Sequence, residues 1–242
     1  MILAVIPARY ASTRFPGKPL VDIGGKTMIR RVYEQVLLSK MVDRVVVATD
    51  DSRIADHVSS FGGEVVLTRA DHPSGTDRCA EVAEKFSEAG YVLNVQGDEP
   101  FIQPGQIDLL AETLLNSTGF SIATLAKSIV KEEDLFNPNV VKAVFNEKSG
   151  ALYFSRHPVP YIRGKEQDQW LESHTFYKHI GLYGFRRDTL LQIAALSPAP
   201  LERAESLEQL RWLENGFRIV VGVTEQETFG IDTPDDLLKI SY

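Results

Sequence analysis

The sequence predicts an α/β protein with a mostly parallel central sheet and helices on both faces. Two observations carry this. Over the first 115 residues, short apolar segments alternate with amphipathic ones in the order β-α-β-α-β-α-β-α, the pattern of a parallel sheet joined by helical crossovers. Within Arg44–Thr49, the run Val45-Val46-Val47-Ala48 is apolar at every position, as in a strand covered on both faces. The size agrees: 242 residues, 43% hydrophobic and 24% charged, are ordinary for a globular chain and enough for one large α/β core.

The elements follow in order. Ile2–Ile6 is a strand closed by Pro7, and residues 8–25, rich in Gly, Arg, Ser and Pro, read as irregular. Met28, Ile29, Val32, Val36 and Leu37 recur at helical spacing. After the strand Arg44–Thr49, Asp51 or Ser52 caps a helix whose apolar face is Ile54, Ala55, Val58 and Phe61, stopped by Gly62-Gly63. Glu64–Leu67 is a strand, residues 76–88 a helix and Tyr91–Gln96 a strand; Ile107, Leu110, Ala111, Leu114 and Leu115 mark the next helix. Beyond residue 120 the alternation loosens. Strands are expected at Phe120–Lys127, Val140–Phe145, Phe176–Phe185 and 217–223, and helices at 187–195 and 203–215, with an aperiodic stretch over 156–175. Thr233-Pro234-Asp235-Asp236 opens a last helix with a capping threonine, proline at its first position and acids facing the dipole. No repeat or linker interrupts the chain, so a single domain over 1–242 is expected, its second half supplying a less regular inserted region.

Composition narrows the chemistry. One cysteine excludes a disulfide framework and a thiolate metal site. The N-terminus lacks a cationic leader and reads as a first strand, and no apolar run reaches the roughly 18 residues of a membrane span. With 26 basic and 33 acidic side chains the net charge is −7, so there is no basic excess for non-specific nucleic-acid binding. A small anion needs only local cations.

On a parallel sheet, ligands sit at the carboxyl ends of the strands. After the first strand, Pro7 to Leu20 carries Arg9, Arg14 and Lys18 in one loop. Away from a sheet such a cluster reads as a solvated loop; here the crowded like charges and small residues read as an anion site. Neither a complete GxxxxGK[ST] nor a GxGxxG occurs, which argues against an ATPase and a dehydrogenase. After the strand ending at Gln96, Gly97-Asp98-Glu99 sets a carboxylate at the sheet edge, either a turn acid or a magnesium ligand. Asp232 precedes the last helix, where an acid commonly caps; if the fold brings it to Asp98, the two carboxylates need a cation between them. After the third strand, Arg69, Ser74, Gly75, Thr76 and Arg78 can recognise a base or ribose, although Ser74-Gly75-Thr76 also fits a plain helix cap. The five histidines form no metal cluster, and His57, His72 and His174 read as ordinary polar residues. Cys79 reads as a small helix residue, and no GxSxG nucleophile elbow occurs.

The segments IPARYASTRFPGKPL, TRADHPSGTDR, NVQGDEP, ALYFSR, KHIGLYGFR, LEQLRWLENG and GIDTPDDL occur in the order seen in the CMP-Kdo synthetase family, the 3-deoxy-manno-octulosonate (Kdo) cytidylyltransferases. The chain resembles that family from Ile2 to about Leu238. The resemblance implies a Rossmann-like nucleotidyltransferase fold, with 1–120 mainly binding CTP and 121–242 mainly serving sugar binding and dimerisation. It implies transfer of CMP from CTP to the anomeric 2-hydroxyl of Kdo with release of pyrophosphate, for lipopolysaccharide synthesis, by a cytoplasmic, magnesium-dependent homodimer that binds neither nucleic acid nor membrane. It assigns Arg9, Lys18, Asp98 and Asp232 to catalysis, and Asp98 and Asp232 to Mg²⁺. Pro7, Ala8, Arg9, Arg14, Lys18, Arg69, Ser74, Gly75, Arg78 and Gln96 are expected at the nucleotide. Gln96, Arg156, Arg163, His179, Tyr183, Glu208 and Gln209 are expected at the sugar. The chain departs from the family pattern at Thr27, where proline is frequent, and at His157, where a small residue is common. Two other readings stay open: a cytidylyltransferase for 8-amino-Kdo or another 2-keto acid sugar, and a nucleotide-binding regulator on the same fold.

Overall fold

The computed structural model describes residues 1–11, 15–227 and 230–238. In chain order it contains β1 (Ile2–Ala8), β2 (Asp22–Ile23), β3 (Lys26–Thr27), α1 (Met28–Leu37), β4 (Arg44–Thr49), α2 (Ser52–Ser60) and β5 (Val65–Leu67). Then come α3 (Gly75–Lys85), β6 (Tyr91–Asn94), α4 (Pro104–Asn116), β7 (Ile122–Ser128), α5 (Glu132–Phe136), β8 (Lys142–Phe145) and β9 (Ala151–Ser155). The remainder is α6 (Trp170–Ser173), β10 (Tyr177–Arg186), α7 (Arg187–Ala194), α8 (Pro200–Glu205), α9 (Gln209–Glu214), β11 (Ile219–Val223) and α10 (Pro234–Leu237). The α/β class with a mostly parallel sheet flanked by helices is what the alternation predicts. The chain divides into two compact units, Met1–Asp108 with Gly184–Ala194 and Thr228–Tyr242, and Leu109–Tyr183 with Ala195–Glu227.

In the first unit β1 lies between β4 and β6, with β5 outside β4, all parallel; Val5 faces Val46 on one side and Asn94 on the other. Leu3, Ala4, Val5, Ile6, Val46, Val47 and Ala48 have no exposed surface. Burial of each larger aliphatic among them is worth about 1.5–3 kcal/mol. Asp51 accepts from the Arg53 N–H at the start of α2, and Ser74 accepts from the Asp77 N–H at the start of α3. Both caps satisfy donors that a helix terminus otherwise leaves unmet. Met28, Ile29, Val32, Tyr33 and Val36 form the buried face of α1.

In the second unit β11 runs parallel to β7, while β8 pairs antiparallel with both β9 and β10. Trp170, Phe176, Ile129 and Leu135 form a buried cluster beside these strands, so the stretch over 156–175 contains the short helix α6 despite its lack of period. The expected helix over 203–215 is two helices. Ser206 takes φ 53°, ψ 48°, a left-handed conformation that ends α8 before α9 begins. The strand β9 and helix α5 lie outside the expected elements; both are five residues long, too short for a period to stand out.

Candidate active site

A cavity of about 230 Å³ opens at the carboxyl ends of the first unit's strands. Pro7, Ala8 and Arg9 reach it from the end of β1, and Lys18 and Pro19 from the short 3₁₀ turn Lys18–Leu20. His72, Pro73, Ser74, Gly75 and Arg78 come from the loop before α3 and its first turn, and Gln96, Gly97, Asp98 and Asp232 complete the lining.

Local chemistry fixes each part. Gly17 has φ +73° and donates its N–H to the Tyr10 carbonyl at 2.9 Å, closing the loop that delivers Lys18 in a conformation glycine adopts without strain. Beyond β6, the Val95 N–H bonds to the Val5 carbonyl at 3.0 Å, which sets the next residues beside the end of β1. A Cβ on Gly97 would lie 2.8 Å from the Pro7 carbonyl oxygen, so only glycine allows this approach. Ile231 is fully buried with Ile23 and Met28, and its N–H bonds to the Asp98 carbonyl at 2.9 Å. Packing therefore brings Asp232 to Asp98.

Their carboxylates share one cation. The Lys18 ammonium donates to Asp98 Oδ2 at 2.7 Å and to the Ile231 carbonyl at 3.0 Å, and stands 3.5 Å from Asp232 Oδ1. Its side chain is only 14% exposed. Burial, then the neighbouring Asp98 charge, raises the Glu99 carboxyl to a pKa of about 7. On the opposite wall Arg78 is buried; its guanidinium donates to Thr68 Oγ1 at 2.5 Å and pairs with Asp50 Oδ1 at 3.2 Å. Arg9, Lys18 and Arg78 thus face a cavity whose shape and charge suit a polyanion.

Ten of the expected positions line this cavity: Pro7, Ala8, Arg9, Lys18, Ser74, Gly75, Arg78, Gln96, Asp98 and Asp232. Arg14 lies outside the described residues. The Arg69 side chain is 70% exposed, directed to Asp71 at 3.4 Å, and does not line the cavity. Sequence reasoning passed over Pro19, Pro73 and His72. The imidazole of His72, expected as ordinary polar packing, lines the cavity and holds Glu81 at 2.5 Å. Its place after a strand's carboxyl end was the available signal.

Apart from Gln96, the residues expected at the sugar fall in the second unit. The rings of His179 and Tyr183 on β10 lie 5.3 Å apart, and Tyr183 meets Trp212 edge-on at 5.0 Å. Burial lowers the His179 imidazole to about 3, so it is neutral, and its Nε2 is 2.9 Å from Thr124 Oγ1. Burial and the charge of Glu208 raise the Tyr183 phenol well above its ordinary value. Gln209 is 5% exposed, and its buried amide nitrogen has no hydrogen-bond partner. His179, Tyr183 and Glu208 thus stand together beside Trp212, and Gln209 follows Glu208 at the start of α9. Arg156 donates to the carbonyls of Glu205, Pro138 and Ser206 at 2.6, 2.9 and 3.4 Å, which pins its guanidinium to backbone. Arg163 is exposed.

A sheet-edge cavity with cations on its walls and paired carboxylates at its mouth belongs to the nucleotide-handling α/β proteins. Within that class the chain belongs to the cytidylyltransferase family, whose model matches residues 3–219. It is 57% identical to the 3-deoxy-manno-octulosonate cytidylyltransferase of Parabacteroides distasonis, over 98% of this chain and 95% of that one. It is 55% identical to the enzyme of the same name from Cytophaga hutchinsonii, over 100% and 96%. A solved CMP:2-keto-3-deoxy-manno-octonic acid synthetase complexed with CTP superposes with a TM-score of 0.91 at 44% identity, over 98% of this chain and 95% of that one. Among the described residues no helix is long and apolar enough to cross a membrane.

Proposed function

We propose that this chain transfers CMP from CTP to the anomeric 2-hydroxyl of Kdo, releasing pyrophosphate. The observation that carries the reading is the coincidence of near full-length similarity to enzymes of that name with a cavity whose Lys18 sits against Asp98 and Asp232.

The donor set fits magnesium. Asp98 and Asp232 offer hard oxygen ligands converging on a seat where a cation, the Lys18 ammonium, already stands. Among the described residues no group of three or more His, Cys, Asp or Glu could hold a metal, and Mg²⁺ typically takes one or two carboxylates plus water and phosphate. Asp98 and Asp232 would hold it, and it would supply charge neutralisation and an acidified hydroxyl.

The chain's own residues account for the rest. Arg9 and Lys18, with Arg14, hold the triphosphate, and Lys18 offsets the charge that grows on departing pyrophosphate. Ser74, Gly75, Arg78 and the Pro7–Ala8 backbone hold the nucleoside. The sugar oxygen forms a bond to the α-phosphorus, the α–β phosphoanhydride bond breaks, and the hydroxyl proton passes to solvent. Positioning is the main contribution such sites make to phosphoryl and nucleotidyl transfer. His179, Tyr183, Glu208 and Gln209 serve the sugar, and the unpartnered Gln209 amide nitrogen is a donor awaiting an acceptor. Arg156 and Arg163 are the candidate partners of the sugar carboxylate. The reading extends to a homodimer, for which the exposed Val130, Leu152 and Tyr161 offer apolar surface, and to the cytoplasm, where CTP is made.

The test is pyrophosphate release from CTP and Kdo with Mg²⁺. The reading expects release that depends on all three. CTP binding without release would favour a regulator, and faster turnover of 8-amino-Kdo would reassign the sugar.

A further inference from the structure

One wall of the nucleotide cavity is irregular chain that must be held from outside. Between β5 and α3 the backbone has no repeating hydrogen bonds, yet His72, Pro73 and Ser74 all line the cavity. What holds this loop is Glu81, on α3. Its Oε2 accepts the Arg69 backbone N–H at 2.9 Å and contacts His72 Nε2 at 2.5 Å, while Oε1 accepts from Lys85 at 3.2 Å. Glu81 does not line the cavity.

The partner fixes the tautomer. An ionised carboxylate only accepts, so the proton of His72 sits on Nε2. In the neutral ring Nδ1 is then an acceptor. His72 is 4% exposed in its side chain. Among the described residues its Nδ1 has no partner, yet it is not among the buried unpartnered polar atoms. It therefore stays reachable on a side chain that lines the cavity.

We propose that Glu81 and His72 are a base-reading pair: Glu81 is a positioning residue, and His72 Nδ1 accepts a hydrogen bond from the 4-amino group of cytosine. Uracil has a carbonyl oxygen at that place, so two acceptors would face each other with no proton between them. A buried acceptor left unmatched typically costs enough for roughly tenfold to a hundredfold discrimination. The proposal rests on the CTP reading above and assigns that site its base selectivity.

The test compares kcat/KM for CTP and UTP with Kdo and Mg²⁺ under one buffer condition, in the full chain, His72→Phe, Glu81→Gln and the double variant. The CTP/UTP ratio is expected to fall at least about tenfold in each single variant, and the double variant to fall no further than His72→Phe. A purely structural role would lower both nucleotides together, and an unchanged ratio would overturn the proposal. Calorimetric titration with CTP and UTP reads the same ratio where turnover is lost. A wild-type protein that binds no CTP would overturn the reading of the site itself, and the pair with it.

Discussion

Lys18→Met removes the charge at the centre of the site while keeping the length of the side chain. The ammonium lies 2.7 Å from Asp98 Oδ2 and 3.5 Å from Asp232 Oδ1. At an effective dielectric of about 20 those separations give gross attractions of roughly 6 and 5 kcal/mol; in bulk water they give about 1.5 and 1 kcal/mol. The carboxylates are 32% and 52% exposed, so solvent screening puts the net value near the lower pair, about 1–2 kcal/mol. For a chain of this size that is a fall of about 2–6 °C in Tm. Turnover should fall further, by about 10²–10³-fold, because the lost charge also faces the leaving group. Thermal melting and pyrophosphate release read the two effects separately. Magnesium should restore part of the lost Tm, since the carboxylates then lack their resident cation. Wild-type turnover in Lys18→Met would refute the reasoning, and an unchanged Tm would show that the ion pair carries no net stability.

Asp98→Asn and Asp232→Asn should each lower turnover at least about 10²-fold; near-normal rates in either would remove that residue from the metal role. Gly97→Ala sets a methyl against the Pro7 carbonyl at 2.8 Å and should destabilise the fold by about 1–3 kcal/mol, read as a lower urea midpoint, with weaker CTP binding; wild-type values for both would show that the backbone relaxes freely. Burial alone would raise the Glu81 carboxyl, but bonds from the Arg69 N–H, His72 and Lys85 outweigh it and hold its pKa at about 2, against 4.5 ordinarily. The folded state therefore gains about 3 kcal/mol that is present above pH 4.5 and lost as pH falls toward 2. Glu81→Gln should flatten the stability profile between those values, and identical acid titrations of the two proteins would contradict this.

In the first unit the structure follows the buried runs and most of the periods of the sequence. The Val45–Ala48 run became the centre of β4, and Met28, Ile29, Val32 and Val36 are buried on α1 as their spacing marks, whereas Leu37 is exposed. Short elements shaped by distant packing were not legible. The β2–β3 hairpin lies in the stretch read as irregular, and nothing local announces that Ser206 will turn left-handed and split a helix. The site shows the same limit. The cations after β1 and the acid after β6 were visible by position, but Lys18 and Asp98 are 80 residues apart, and Lys18 and Ile231 are 213 apart. Only the folded chain shows that one ammonium joins them. His72 was passed over because its meaning depends on Glu81, one half-buried acid among many. The backbone carbonyls that Arg156 meets, those of Pro138, Glu205 and Ser206, lie 18 to 50 residues away in the chain, so no local pattern announces them.

The most direct measurement is phosphorus NMR of a stoichiometric mixture of the protein with CTP, Kdo and Mg²⁺. The account predicts CMP-Kdo and pyrophosphate appearing in equal amounts, and neither forming at a comparable rate with Asp98→Asn. Release of inorganic phosphate and CDP, or unchanged CTP beside a protein that binds it, would contradict it.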